Sequence, residues 1–344
     1  MAVDFRTPPA RLLLALALLL LVGGCKTLER LAVRAAFQIA ELPPEREVQD
    51  IAYRQGEGAD ELKHRLDLFL PAPAAAQSRG WPTLIFVHGG SWNSGDRDLT
   101  FGGEEIYGNI GRFYANRGLG VAVISYRLQP GVTWFQQVDD VAAAAGWVSR
   151  NIADYGGDPG SIFVSGHSAG AQLGSYAVAA REPLERHGVD PRAICGVISV
   201  SGAGLDVADE KTYELGADRE FYDRTFGPRA AEPEGWNPGT EADGWRRRAS
   251  AVSFLAEADG APPPWLGFYA GPAHPLVGRQ AELLRRAVAA AGGEAEVLEI
   301  PKLSHRRIVA EFSQPGGGLD APLLAFVEAH RDCRRRPEGS RPAA

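Results

Sequence analysis

The sequence predicts an α/β domain built on a mainly parallel central sheet with helices on both faces. Three observations carry this. Short runs such as "TLIFVHGG", "GVAVISYRL", "SIFVSGHS" and "ICGVISVSG" are apolar on both faces, as strands buried between two helical layers must be. Amphipathic stretches such as "VDDVAAAAGWVSRNIADYG" and "VGRQAELLRRAVAAAG" separate them, so the period alternates between two and 3.6 residues. Two glycine-rich turns carrying His and Ser follow directly after such runs, at the carboxyl strand ends where sites in open sheets collect.

With 344 residues, 45% hydrophobic and 23% charged, the chain can bury a substantial core. A net charge of −7 argues against a nucleic-acid partner. Three cysteines without a CxxC pair signal neither a disulfide framework nor a zinc site, and no cofactor is expected.

Residues 1–24 form a leader: Arg6 and Arg11, an unbroken apolar run from Leu12 to Val22, then Gly23 and Gly24. That run is about half of the roughly 20 residues a spanning helix needs, so a signal-peptide core fits better than a membrane span. Val22-Gly23-Gly24-Cys25 resembles a bacterial lipobox. The resemblance implies lipidation at Cys25 and anchoring in the cell envelope, and Lys26 implies the outer membrane, on its periplasmic face. Residues 25–46 then read as a tether, a short helix followed by a proline break.

The main domain is expected over 47–330. "DIAYRQG" and "RLDLFLP" read as paired edge strands, followed by the apolar strands quoted above. "AGAQLGSYAVAAR" is a small-residue helix, "WLGFYAG" and "EAEVLEIP" are the last strands, and "LDAPLLAFVEAHRD" is the closing helix. Residues 203–265, rich in Gly, Pro and charge, are too long for an ordinary connection and read as an insertion or partial lid. Residues 331–344 read as a disordered tail. Cys195 in an apolar strand and Cys333 in that tail read as free thiols, although export favours disulfides.

"VSGHSAGAQLG" contains Gly166-His167-Ser168-Ala169-Gly170, a match to G-x-S-x-G between a strand and a helix. Glycines two before and two after Ser168 let the chain turn sharply and present the hydroxyl at a helix N-terminus. His167 is expected to point elsewhere. "FVHGGSW" supplies Gly89 and Gly90, whose N–H groups, with that of Ala169, form the expected oxyanion hole. "LEIPKLSHRR" puts His305 in a loop after the last strand, where it can act as general base.

On "LDLFLP", "HGGSW", "YRLQP", "DDVAAAAGWVSRN", "YGGDPGSIFVSGHSAG" and "KLSH", residues 60–330 resemble the α/β-hydrolase superfamily, specifically its HGG-type carboxylesterases. These include hormone-sensitive-lipase-like, kynurenine-formamidase-like and feruloyl-esterase-like members. The resemblance implies an α/β-hydrolase fold, a Ser168–His305 pair, and structural roles for Asp140 and Asp158. It also implies an acid in a "G-x-x-D-P-L-V" pattern, where this chain reads Gly271-Pro272-Ala273-His274-Pro275-Leu276-Val277. Asp206, after the strand that follows the nucleophile helix, is the substitute candidate, with Asp209 and Glu210 behind it.

The expected activity is hydrolysis of small to medium acyl esters through an acyl-Ser168 intermediate. Carbohydrate deacetylase or arylformamidase activity stays open within the class. A hydrolase-fold binding protein, its turnover lost with the acid, is the rival from outside it. The expected partners are an ester substrate and, through the lipid anchor, a membrane.

Overall fold

The computed structural model describes residues 30–31, 33–35, 38–72, 80–101, 103–227, 244–257, 260–271 and 275–335. Eight strands form the main sheet in the spatial order β1-β2-β6-β3-β7-β8-β9-β10. They are β1 (Glu47–Ala52), β2 (Arg65–Phe69), β3 (Trp81–Val87), β6 (Gly120–Ile124), β7 (Gly157–His167), β8 (Ile194–Val200), β9 (Trp265–Ala270) and β10 (Ala295–Ile300). β4 (Thr100–Phe101) and β5 (Glu104–Glu105) pair separately. β1–β2 and β2–β6 are antiparallel and every other pairing in the main sheet is parallel. The mainly parallel sheet is what the apolar strand runs predicted, and the arrangement is the α/β-hydrolase fold that the resemblance implied.

Alternating strand side chains feed two cores. Ile85, Val87, Ile162 and Val164 face α2 (Trp134–Asn151) and α3 (Ala169–Ala180), with α9 (Pro275–Ala290) on the same side. Leu84, Phe86 and Phe163 face α1 (Ile106–Ala115), α10 (Arg307–Glu311) and α11 (Asp320–His330). Glycine sets how closely some helices approach. A Cβ on Gly111 of α1 would lie 2.1 Å from the Phe69 ring of β2. α2 begins with a capping box, in which Thr133 and Gln136 satisfy each other's backbone N–H groups.

Asp140 and Asp158 are structural. Fully buried Asp140 accepts from His64 Nε2 at 2.9 Å, from the Arg127 N–H and from its guanidinium. His64 Nδ1 accepts the Asp60 N–H, so its proton sits on Nε2 and the ring is a pinned strut. Asp158 caps its turn by accepting the Gly160 N–H at 2.8 Å.

Three expectations change. The insertion contributes α5 (Glu210–Glu214), α6 (Arg219–Phe226), α7 (Gly244–Ala249) and α8 (Ala251–Glu257). Leu205, Val207, Tyr222, Phe226, Trp245 and Leu255 are buried in the same core as α3, so its described parts are integral to the domain. Residues 30–46 are no simple spacer: Arg30 and Arg34 pair with Glu104, and the Ala40 N–H donates to Asn109. Cys195 and Cys333 are not free thiols but form a disulfide, and residues 331–335 are ordered around it. Cys195 points toward the α11 face, and the turn leaving α11 brings Cys333 back over the start of β8.

Candidate active site

The turn that carries Ser168, the candidate nucleophile, is dictated by crowding. β7 ends at His167 and α3 starts at Ala169, leaving Ser168 alone to reverse the chain at φ 54°, ψ −117°. A non-glycine residue at such a positive φ is strained and persists only where its surroundings enforce it. The flanking glycines allow that. A Cβ on Gly166 would lie 2.5 Å from the Gly170 carbonyl, and one on Gly170 would lie 2.2 Å from the Val87 oxygen of β3. The Ser168 N–H donates to Val200 at the end of β8, fixing the turn against the next strand.

Ser168 Oγ stands 2.9 Å from His305 Nε2, the separation proton transfer requires. His305 arrives from the loop between β10 and α10, as the order of elements predicted. Ser168 is 8% exposed, so the hydroxyl lies in a nearly closed recess.

The loop expected to supply the oxyanion hole follows β3 and is held from several sides. Gly90 takes φ 132°, and Ser91 and Trp92 also have positive φ. The Gly90 carbonyl accepts the N–H groups of Asn93 and Ser94 and the Ser94 hydroxyl. A Cβ on Gly90 would meet the Ser94 oxygen at 1.9 Å. Trp92 Nε1 donates to Gln172 on α3, and the Trp92 carbonyl accepts Gln137 Nε2 at 2.6 Å, so the loop is bolted to two helices. Burial pushes the Tyr107 phenol up to about 12, against a smaller opposing hydrogen bond from the Gly89 backbone. Among the described residues the Gly90 and Ala169 N–H groups donate to no backbone carbonyl outside regular structure.

Asp206 is engaged elsewhere. Its carboxylate accepts the Ala208 N–H at 3.0 Å and the Ser250 hydroxyl at 3.4 Å, and its main chain is bracketed by Gln280. No bond to His305 is among these. Burial raises its carboxyl above the usual range, as does nearby Asp209. It caps a turn, the ordinary task of an aspartate two residues before a free N–H. Asp209 is held by Arg279, and Glu210 by Arg219. His274 lies outside the described residues, as does Cys25.

His167 was expected to point away from the site. Instead its Nε2 lies 2.8 Å from the His305 carbonyl oxygen, and its ring centroid is 4.8 Å from that of His305. Its side-chain direction could not be read from a five-residue motif.

The BD-FAE family profile matches residues 66–190. Esterase LipQ of Mycobacterium tuberculosis is 36% identical over 146 residues, 42% of this chain and 32% of the relative. A probable isoprenylcysteine α-carbonyl methylesterase, ICME, of Oryza sativa subsp. japonica is 34% identical over 130 residues, 38% of this chain and 29% of the relative. These alignments thus span about a third or less of the curated relatives. Among solved structures, esterase B from Lactobacillus rhamnosis superposes with a TM-score of 0.65 at 22% identity, covering 94% of this chain and 96% of that one. A truncated carbohydrate esterase from gut microbiota gives 0.64 at 19% identity, covering 85% and 99%. At these identities the structures establish the shared fold.

Proposed function

We propose that this α/β-hydrolase, similar over its first half to HGG-type carboxylesterases, hydrolyses carboxylic esters of small to medium acyl groups. The observation that carries the reading is the 2.9 Å contact between Ser168 Oγ and His305 Nε2 beside the oxyanion loop. His305 removes the hydroxyl proton as Oγ attacks the acyl carbon. The carbonyl oxygen becomes an oxyanion facing the N–H groups of Gly90 and Ala169; the Gly89 N–H, expected to join them, donates instead to the Tyr107 phenol. His305 then protonates the departing alcohol, leaving an acyl-Ser168 ester. Water, activated by the same imidazole, releases the acid and restores the serine. The names of the relatives, esterases and methylesterases, support this reaction class.

The rival binding-protein reading requires a pocket without chemistry. Against it stand the bonded Ser168–His305 pair and the strained turn that presents the Ser168 hydroxyl to it.

We also read the chain as an exported lipoprotein anchored through Cys25 in the cell envelope. The Cys195–Cys333 disulfide supports an oxidising compartment. Leu31 and Phe101, 57% and 56% exposed beside the Arg30–Glu104 pair, support a membrane-proximal face near the chain's entry.

The test is p-nitrophenyl acetate and butyrate hydrolysis by folded protein, with Ser168→Ala and Asp206→Asn. Ser168→Ala is expected to lower kcat by about 10⁴-fold or more. Asp206→Asn should leave kcat within about threefold, because the Asn Oδ1 still accepts the Ala208 N–H and keeps the turn. Wild-type turnover no faster than that of Ser168→Ala would overturn the reading.

A further inference from the structure

Resting on the serine-esterase reading, we propose that His167 is a positioning residue that holds the general base against the nucleophile. The argument is geometric. His167 precedes Ser168 at the end of β7, yet its imidazole turns toward the base loop, where Nε2 lies 2.8 Å from the carbonyl oxygen of His305. A carbonyl can only accept, so Nε2 carries a proton and donates it to His305. The two rings pack with centroids 4.8 Å apart and planes inclined at 36°.

The opposite edge of the His167 ring faces the oxyanion loop. A Cβ on Gly89 would lie 2.8 Å from His167 Nδ1 and 3.3 Å from Ser168 Cβ. One imidazole, 7% exposed, therefore fills the space between the oxyanion loop and the base loop while its own main chain leads into the nucleophile. The three groups that must meet in the transition state, Ser168, His305 and the Gly89–Gly90 turn, are registered on a single side chain.

The base is the member that needs such registration. Ser168 is fixed by β7, β8 and α3, whereas His305 sits in a connecting loop five residues beyond the end of β10. A triad acid orients an imidazole through its ring; His167 grips the same residue by its main chain. The two devices act on different atoms, so the contribution of His167 does not depend on which group faces the far ring nitrogen of His305. A misplacement of about 1 Å at this point can cost about 10²-fold in rate.

The test compares His167→Gln, whose amide can reach the same carbonyl, with His167→Phe and His167→Ala, which cannot donate. Steady-state ester hydrolysis and the second-order rate of Ser168 labelling by a fluorophosphonate are measured on folded wild type and on each variant. The expected result is a kcat loss of about 30–100-fold in the Phe and Ala variants, with KM within about threefold of wild type and a parallel loss in labelling rate. His167→Gln should recover to within about fivefold of wild type. Equal losses in Gln and Phe, or a loss confined to KM, would overturn the proposal. So would Phe or Ala variants that keep full kcat. If Phe fails to fold, the Gln-to-Ala ratio decides alone. Failure of the esterase reading looks different: wild type would then neither turn over ester nor label at Ser168.

Discussion

Two histidines beside the site are buried without charge, and that makes the protein acid-sensitive. Burial lowers His167 to about 3, with His305 nearby pushing the same way, and burial lowers His88 to about 4, both from 6.5. Below about pH 6.5 the unfolded chain binds protons on both rings and the folded chain does not. Their contribution to stability is therefore complete above pH 6.5 and lost as pH falls toward 4. Each ring contributes a slope approaching about 1.4 kcal/mol per pH unit over that window. Denaturant unfolding at pH 7, 6 and 5 should show stability falling, and His167→Gln should flatten the fall by about half. A stability independent of pH over that range would refute the burial argument. At this scale the sequence was legible where chemistry has a spelling. Ser168 and His305 sat in recognisable strand–turn contexts and are bonded in the structure. Asp206 was less legible, because an aspartate after a strand also has a local use: its Oδ1 accepts the Ala208 N–H and the Ser250 hydroxyl.

Elements were legible in proportion to how well their apolar pattern survived the demands of packing. β3, β6, β7 and β8 are buried on both faces and stand out as unbroken runs. α1 has no counterpart among the expected elements, and Gly108 and Gly111 within "IYGNIGRFYA" lower its helix propensity. Gly111 is present because the helix lies so close to β2: a Cβ there would meet the Phe69 ring at 2.1 Å. Propensity and packing disagree at this position, and packing wins. Gly111→Ala is expected to destabilise by about 1–3 kcal/mol despite the better helix propensity of alanine. Thermal denaturation measures this, and a raised Tm would show that α1 can move off the sheet without loss.

Across the whole molecule, the long-range contacts were the least legible. Cys195 and Cys333 are separated by 138 residues, one in an apolar strand and the other in a polar tail, and no local pattern links them. Closing a loop of that length is worth about 4–5 kcal/mol in the chain-entropy description. Cys333→Ser should accordingly lower the midpoint of thermal unfolding by several degrees and leave ester kcat near wild type. An unchanged midpoint would mean that the packing of α11 alone supplies the restraint.

The same covalent loop decides what a single backbone cut does. It encloses β9, β10, His305 and the whole segment between α6 and α7, while Ser168 and the oxyanion loop lie outside it. A protease nicking between Cys195 and His305 would produce two polypeptides, one carrying Ser168 and the other His305. They would migrate as one species on a gel without reductant and separate once thiol is added. The two fragments would stay joined across the same core for as long as the surroundings stayed oxidising.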